Sequence, residues 1–127
     1  MMNESDLKYS KDHEWVGVEG DTAYVGITNY AQIQLGDIVY VELPEVGMDI
    51  DKDEVVCAVE SVKTAADIMM PVSGVITDVN KELEDTPEMI NGSPYDAWIM
   101  QVKIRDAAEL DELMSESEYA DFCEKED

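Results

Sequence analysis

Lys63 stands in the run Glu60-Ser61-Val62-Lys63-Thr64-Ala65-Ala66-Asp67, and no other Lys or Arg lies between Lys52 and Lys81. The run before it, Val55-Val56-Cys57-Ala58-Val59, is apolar and β-prone. The run after it, Ile68-Met69-Met70-Pro71-Val72-Ser73-Gly74, is apolar and then turns. A cation inside such a stretch fits the tip of a tight hairpin. There its ammonium stays in water while the flanking strands are buried. Small neighbours leave it open to an enzyme, so the chemistry on offer is covalent modification, set against the plainer reading of a solvated turn lysine. A Schiff-base role needs a buried lysine of depressed pKa, and Glu60 and Asp67 offer the reverse surroundings.

Other chemistry-bearing residues are weaker candidates. Asp49, Asp51, Asp53 and Glu60 match the acidic spacing of an EF-hand calcium loop, but Glu54 stands where that loop needs glycine. Its flanks also read as strands. His13 is the sole histidine, which excludes a zinc site built on histidines, and it is expected to brace the first strand beside Trp15. No metal site is expected. Cys57 lies in the apolar run and Cys123 in the acidic tail, so no disulfide is expected between them. No nucleophile–base pair or phosphate loop stands out.

The elements that must position Lys63 are mostly short strands. His13 to Val18 alternates and meets a turn at Glu19-Gly20-Asp21, and Thr22 to Ile27 returns. Thr28-Asn29 caps a short helix through Leu35 that Gly36 ends. Further strands are predicted over 38–43, 55–60, 65–70, 75–79 and 98–103. From Asp106 the period becomes helical through Ala107, Leu110 and Leu113 or Met114. Ser115 or Ser117 caps a second helix through Phe122. This predicts a mainly β flattened barrel or sandwich with short helices, one forming a C-terminal tail. The chain, 1–127, is expected to be a single domain, with a flexible start over 1–6 and an acidic helical tail over 106–127.

Glu60-Ser61-Val62-Lys63, followed by Pro71-Val72-Ser73-Gly74, resembles the lipoyl-attachment region of the H-protein family of the glycine cleavage system. The resemblance is collinear over roughly residues 7 to 125. It takes in Tyr9 to Val16, Tyr24 to Thr28, Ala31 to Asp37, Val41 to Gly47, Leu83 to Pro87 and Ile90-Asn91. It implies the fold of lipoyl and biotinyl carriers, with lipoate carried covalently on Lys63. The implied protein is not itself an enzyme. It shuttles an aminomethyl group and reducing equivalents between glycine decarboxylase, an aminomethyltransferase and dihydrolipoyl dehydrogenase, after a lipoate-attaching enzyme has loaded it. The resemblance also implies that Glu14 and Asp67 shelter the loaded arm. Gln34 stands at a cleft-lining position where some relatives have histidine, and it cannot titrate near neutral pH. Pro94-Tyr95-Asp96-Ala97-Trp98 is one residue shorter than the family's usual loop. Two alternatives stay open: a lipoyl carrier of the same fold serving lipoyl relay or sulfur metabolism, and an unmodified acidic binding module.

A net charge of -23 argues against nucleic acid and anionic membranes as partners, both of which need basic patches. It favours basic protein partners, and a monomer is expected. No apolar run approaches the roughly 20 residues of a membrane span, and Met1 to Asp6 lacks the features of a signal or transit peptide. A cytoplasmic location is therefore expected, or the mitochondrial matrix if a presequence has been removed.

Overall fold

The computed structural model describes residues 6–126. The flexible start expected over 1–6 thus falls, apart from Asp6, outside the described residues. Among the described residues, nine antiparallel strands form two sheets. The larger has the order β1-β2-β3-β9-β8-β5 and the smaller β4-β6-β7. Their ranges are β1 Lys8–Tyr9, β2 Glu14–Glu19, β3 Thr22–Ile27, β4 Ile38–Glu42, β5 Asp49–Ile50, β6 Val55–Ser61, β7 Ala65–Met69, β8 Gly74–Val79 and β9 Met100–Ile104. Helix α1 spans Asn29–Leu35, α2 Glu82–Asp85, α3 Met89–Gly92 and α4 Glu116–Glu126, with a 3-10 helix at Ala107–Glu112. The mainly β sandwich with a helical tail is the architecture expected.

Local chemistry explains the elements around Lys63. Strand β6 runs into β7 through Val62, Lys63 and Thr64, with Glu60 opposite Ala65 and Ala58 opposite Asp67. The inward residues Val59 and Ile68 are buried, while Glu60, Ala65 and Asp67 face solvent. Helix α1 begins where the Thr28 hydroxyl accepts the Ala31 N–H, satisfying one of the orphan donors of the first turn. It ends at Gly36, whose φ of 82° suits a residue without a side chain. Between the sheets lies a core that includes Val16, Val25, Val41, Val59, Met70, Ile76 and Ile99, all 2% exposed or less. A second cluster of Leu7, Tyr9, Trp15 and Tyr119 ties the tail to the first strands. Tyr9 and Met114 also exchange backbone hydrogen bonds of 2.9 and 2.8 Å.

Several boundaries differ from expectation. The last strand starts at Met100, two residues after Trp98. The Ile99 N–H still reaches Val25 O, and Trp98 sits edge-on against Tyr24. The tail's first helical stretch is a 3-10 helix, tied down where Glu109 accepts from Ser73 N–H and its hydroxyl. Helix α4 runs to Glu126 instead of ending at Phe122. Its start is a reciprocal cap: the Ser115 hydroxyl accepts from Glu118 N–H while the Glu118 carboxylate accepts from Ser115 N–H. The short β1, β5, α2 and α3 had no sequence signal strong enough to read. Two acids of the EF-hand-like run are otherwise engaged: Arg105 pairs with Asp49 and with Asp51. Among the described residues no His, Cys, Asp or Glu cluster is arranged to hold a metal. No helix among them is long and apolar enough to cross a membrane.

Candidate functional site

Lys63 sits at the exposed tip of the β6–β7 hairpin, beside Val62, which is 67% exposed. The tip is nonetheless built rigidly. The Ser61 hydroxyl accepts from the N–H groups of Lys63 and Thr64 and donates to Thr64 O, while Ser61 N–H reaches the same carbonyl at 2.7 Å. Val62 N–H is held by Asp37 O at 3.0 Å. Asn91 secures that anchor in turn, accepting from Ile38 N–H and donating to Gly36 O and the Gln32 side chain. The lysine stem leans across to the end of α1. A Cβ added at Gly36 would lie 3.6 Å from Lys63 Cε. The ammonium thus rests near the negative, carbonyl end of that helix.

Beneath this head a cleft of about 310 Å³ opens between α1 and β7. Ala31, Leu35, Ala66, Ile27 and Ile68 give it apolar walls, and Gln34 and Asp67 stand on its rim. Asp12, His13, Tyr30 and Glu126 line it too. Asp67 is exposed and shares the outer face of the small sheet with Ala58 and Glu42. A volume near 300 Å³ with apolar walls and a few polar groups is the lower range of pockets that hold small molecules or extended arms.

Glu14 is placed differently from Asp67. It is 1% exposed and lines a second cavity of about 300 Å³ with Ser10, Lys11, Lys52, Asp53 and Glu112, on the other side of the Asp12–His13 turn. Its carboxyl accepts the Ser10 hydroxyl at 2.6 Å and the Met69 N–H of β7 at 3.2 Å. Burial pushes it up from an ordinary 4.5 to about 7, against the lowering effect of those two hydrogen bonds. The cleft therefore gathers Gln34 and Asp67, Lys63 stands on the adjoining hairpin tip beside Gly36, and Glu14 lines a separate cavity while holding the Met69 N–H of β7.

Asp12, His13, Tyr30 and Glu126 were missed. His13 does not brace the first strand beside Trp15. With φ of 69° it turns its ring into the cleft and stacks on Tyr30 at 4.7 Å. A directed chain runs through it. In the neutral ring Nε2–H donates to Glu126 Oε1 at 2.8 Å, and Nδ1 accepts the Tyr119 hydroxyl at 2.6 Å. The Tyr119 oxygen then accepts from the Thr28 hydroxyl at 2.7 Å. Burial pushes the Tyr119 phenol upward, so it stays a donor. The chain thus joins the tail to the residue that caps α1. The 94–98 loop is also anchored: Trp15 Nε1–H donates to Pro94 O, and the Tyr95 hydroxyl accepts from Asn29 N–H. Neither cysteine is in a disulfide among the described residues, and burial pushes Cys57 up to about 12, which keeps it unreactive.

Known proteins place this arrangement. The family model described as glycine cleavage H-protein matches residues 7–126. The chain is similar to the glycine cleavage system H protein of Staphylococcus carnosus, at 55% identity over 118 residues, 92% of this chain and 94% of that one. It is 52% identical to the one from Thermotoga maritima over 120 residues, 94% of this chain and 97% of the other. A crystal structure of a glycine cleavage system H protein from Mycobacterium marinum superposes with a TM-score of 0.84 at 40% identity, covering 91% of this chain and 94% of that one. With the family model matched over residues 7–126 and a solved relative superposing along nearly its whole length, the chain belongs to the glycine cleavage H-protein family.

Proposed function

We propose that this chain is the lipoyl-carrying shuttle of a glycine cleavage system, with lipoate in amide linkage to Lys63. The observation that carries this is Lys63 on a clamped, exposed tip at the head of an apolar-walled cleft, in a chain of this family. When bound, lipoate supplies a dithiolane that accepts electrons and a carbon fragment together. The residues of this chain do the rest. Acylation removes the Lys63 charge, so the acylated stem can enter the apolar part of the cleft beside Leu35 and Ala66. The walls exclude water from whatever the arm brings back. Asp67 and Gln34 offer a carboxylate and an amide at the rim, and Asp12 and Glu126 add negative charge, which suits a cationic amine. Glu14 acts from behind β7, holding the Met69 N–H and adding charge as its proton leaves.

The partners in this reading are glycine decarboxylase, the aminomethyltransferase, dihydrolipoyl dehydrogenase and a lipoate-attaching enzyme. The chain itself is a carrier subunit and catalyses none of the steps. The test is exchange of labelled bicarbonate into the glycine carboxyl by a decarboxylase. Lipoylated chain should support the exchange and Lys63→Arg should not. Lipoylated chain that supports no exchange would shift the assignment to a lipoyl carrier of another pathway.

A further inference from the structure

Two separate sets of hydrogen bonds govern the Lys63 hairpin. One is internal: the Ser61 hydroxyl and the Thr64 carbonyl close the turn on itself, which fixes its shape but not where it points. The other is a single bond. Among the described residues, the only hydrogen bond that ties residues 62–64 to the chain outside their own hairpin is Val62 N–H donating to Asp37 O, at 3.0 Å. The direction in which Lys63 is presented therefore depends on how firmly Asp37 is held.

Asp37 is exposed, between the end of α1 and the start of β4. Asn91 grips it from both sides. Its Oδ1 accepts Ile38 N–H at 2.8 Å, and its Nδ2 donates to Gly36 O at 2.9 Å and to Gln32 Oε1 at 2.8 Å. These bonds use both amide hydrogens, so neither a carboxylate nor a hydroxyl can replace the set. Behind Asn91 stands Ile90, buried in the core. Gly36, whose carbonyl Asn91 holds, is also the residue that the Lys63 stem passes. We propose that Asn91 is a positioning residue for acylation of Lys63. It relays the fixed core, through residues 36–38 and Val62, to the direction of the ε-amine. This rests on Lys63 being the acylated residue and goes beyond it, since Asn91 acts through Asp37 and Val62 and not on the lysine itself.

The step that needs direction is attack on an activated acyl donor, an acyl-adenylate. The Lys63 ammonium first loses one proton to solvent. The neutral amine then attacks the acyl carbon and forms the C–N bond. The bond from that carbon to the phosphate oxygen breaks, its electron pair leaves with the adenylate, and the second proton leaves the nitrogen for solvent. A tip held in one direction meets the donor in line. A tip that swings does so part of the time, which lowers turnover more than affinity.

The test is octanoylation of the whole chain by a lipoate-attaching enzyme supplied with octanoyl-adenylate. Asn91→Ala and Asn91→Asp should each lower kcat about tenfold, with KM for the chain changed by no more than about twofold. The aspartate variant keeps the size and the acceptor for Ile38 N–H and loses both donors. Ile76→Val, a packing loss in β8, should lower the melting temperature and leave kcat as in wild type. Partial unfolding, by contrast, dilutes the folded chain and raises KM at unchanged kcat. Acetic anhydride, which needs only an exposed amine, should label Lys63 equally fast in every form. A wild-type kcat in both Asn91 variants, or a loss confined to KM, overturns the positioning. Slower anhydride labelling in the Asn91 variants overturns it too, because Asn91 would then act on exposure alone. An octanoyl group absent from Lys63 of the wild-type chain, by peptide mapping, overturns the carrier assignment instead.

Discussion

The two ends of strand β7 are treated differently. At Met69 the outward N–H is captured by Glu14, a carboxyl buried behind the strand and held by Ser10, so the seam between the sheets is shut there. Two residues earlier, at Asp67, no hydrogen bond from the large sheet meets the edge among the described residues, and β7 there walls the cleft beside α1. One buried acid thus sets where the sandwich closes and where it stays open. An apolar residue at position 14 would leave the Met69 N–H without its acceptor. The acid supplies the acceptor at the cost of a carboxyl pushed up to about 7.

The largest way to break this contrast is at Glu14. A carboxyl whose folded pKa is raised contributes stability that is present below the unfolded pKa and lost as pH rises through the folded one. From 4.5 to about 7, at about 1.4 kcal/mol per pH unit, that loss is roughly 3 kcal/mol. Glu14→Gln cannot ionise, so the wild-type advantage over it should shrink by about that order between pH 4.5 and 7 and stay level above. Denaturant midpoints across pH measure this, and parallel curves for the two proteins would contradict it. Glu14→Ala should show the same pH dependence against wild type and lie a further amount of about 1–3 kcal/mol below Glu14→Gln at every pH, because it orphans Met69 N–H and the Ser10 hydroxyl.

A smaller effect is expected at the upper end. Asn91→Ala removes the donor to Gly36 O and the acceptor of Ile38 N–H, at about 1–2 kcal/mol, and should free the anchor of Val62. Exchange of the Val62 amide should speed up more than that of Met69. Equal acceleration at both would mean that the strand responds as a single unit. Smaller again is Tyr119→Phe, which breaks the chain from Thr28 to His13 for about 1 kcal/mol. Its mark should be local, with faster exchange at the start of α1 and none at the hairpin tip.

The smallest effect concerns the tail. From Asp106 to Asp127 there are ten acids and one lysine. If they steer basic partners, association rates with the decarboxylase should fall as salt shrinks the Debye length from about 10 Å to about 3 Å. Neutralising Glu116 and Glu124 should reproduce part of that fall. Glu118 is excluded from this set because its carboxylate caps α4. Rates flat across the salt range would assign the charge to solubility alone.

What was legible in the sequence follows from distance along the chain. The hairpin could be read because Val55 to Met70 carries its own pattern, strand, small-residue tip and strand, in one contiguous run. Helix α1 could be read because Thr28 and Gly36 bracket it. The His13 side of the cleft could not. His13 reaches Tyr119 and Glu126 across 106 and 113 residues, and its positive φ leaves no trace in residue type. Glu14 was legible as a candidate only through family likeness. Strand β2 is buried along Glu14 to Gly17, so alternation does not tell which residues face inward. Gln34 and Asp67 were legible by the same route, and the cleft does gather both at its rim.

The claim on which the rest depends is that Lys63 carries the lipoyl group. Peptide mapping by mass spectrometry of chain from lipoate-replete cells tests it directly. The prediction is a single lipoyl adduct on the peptide containing Lys63, absent from Lys63→Arg, which keeps the wild-type melting temperature because the tip is exposed and its charge unchanged. An adduct on Lys52 or Lys81, or an unmodified chain from cells whose other carriers are lipoylated, would contradict it.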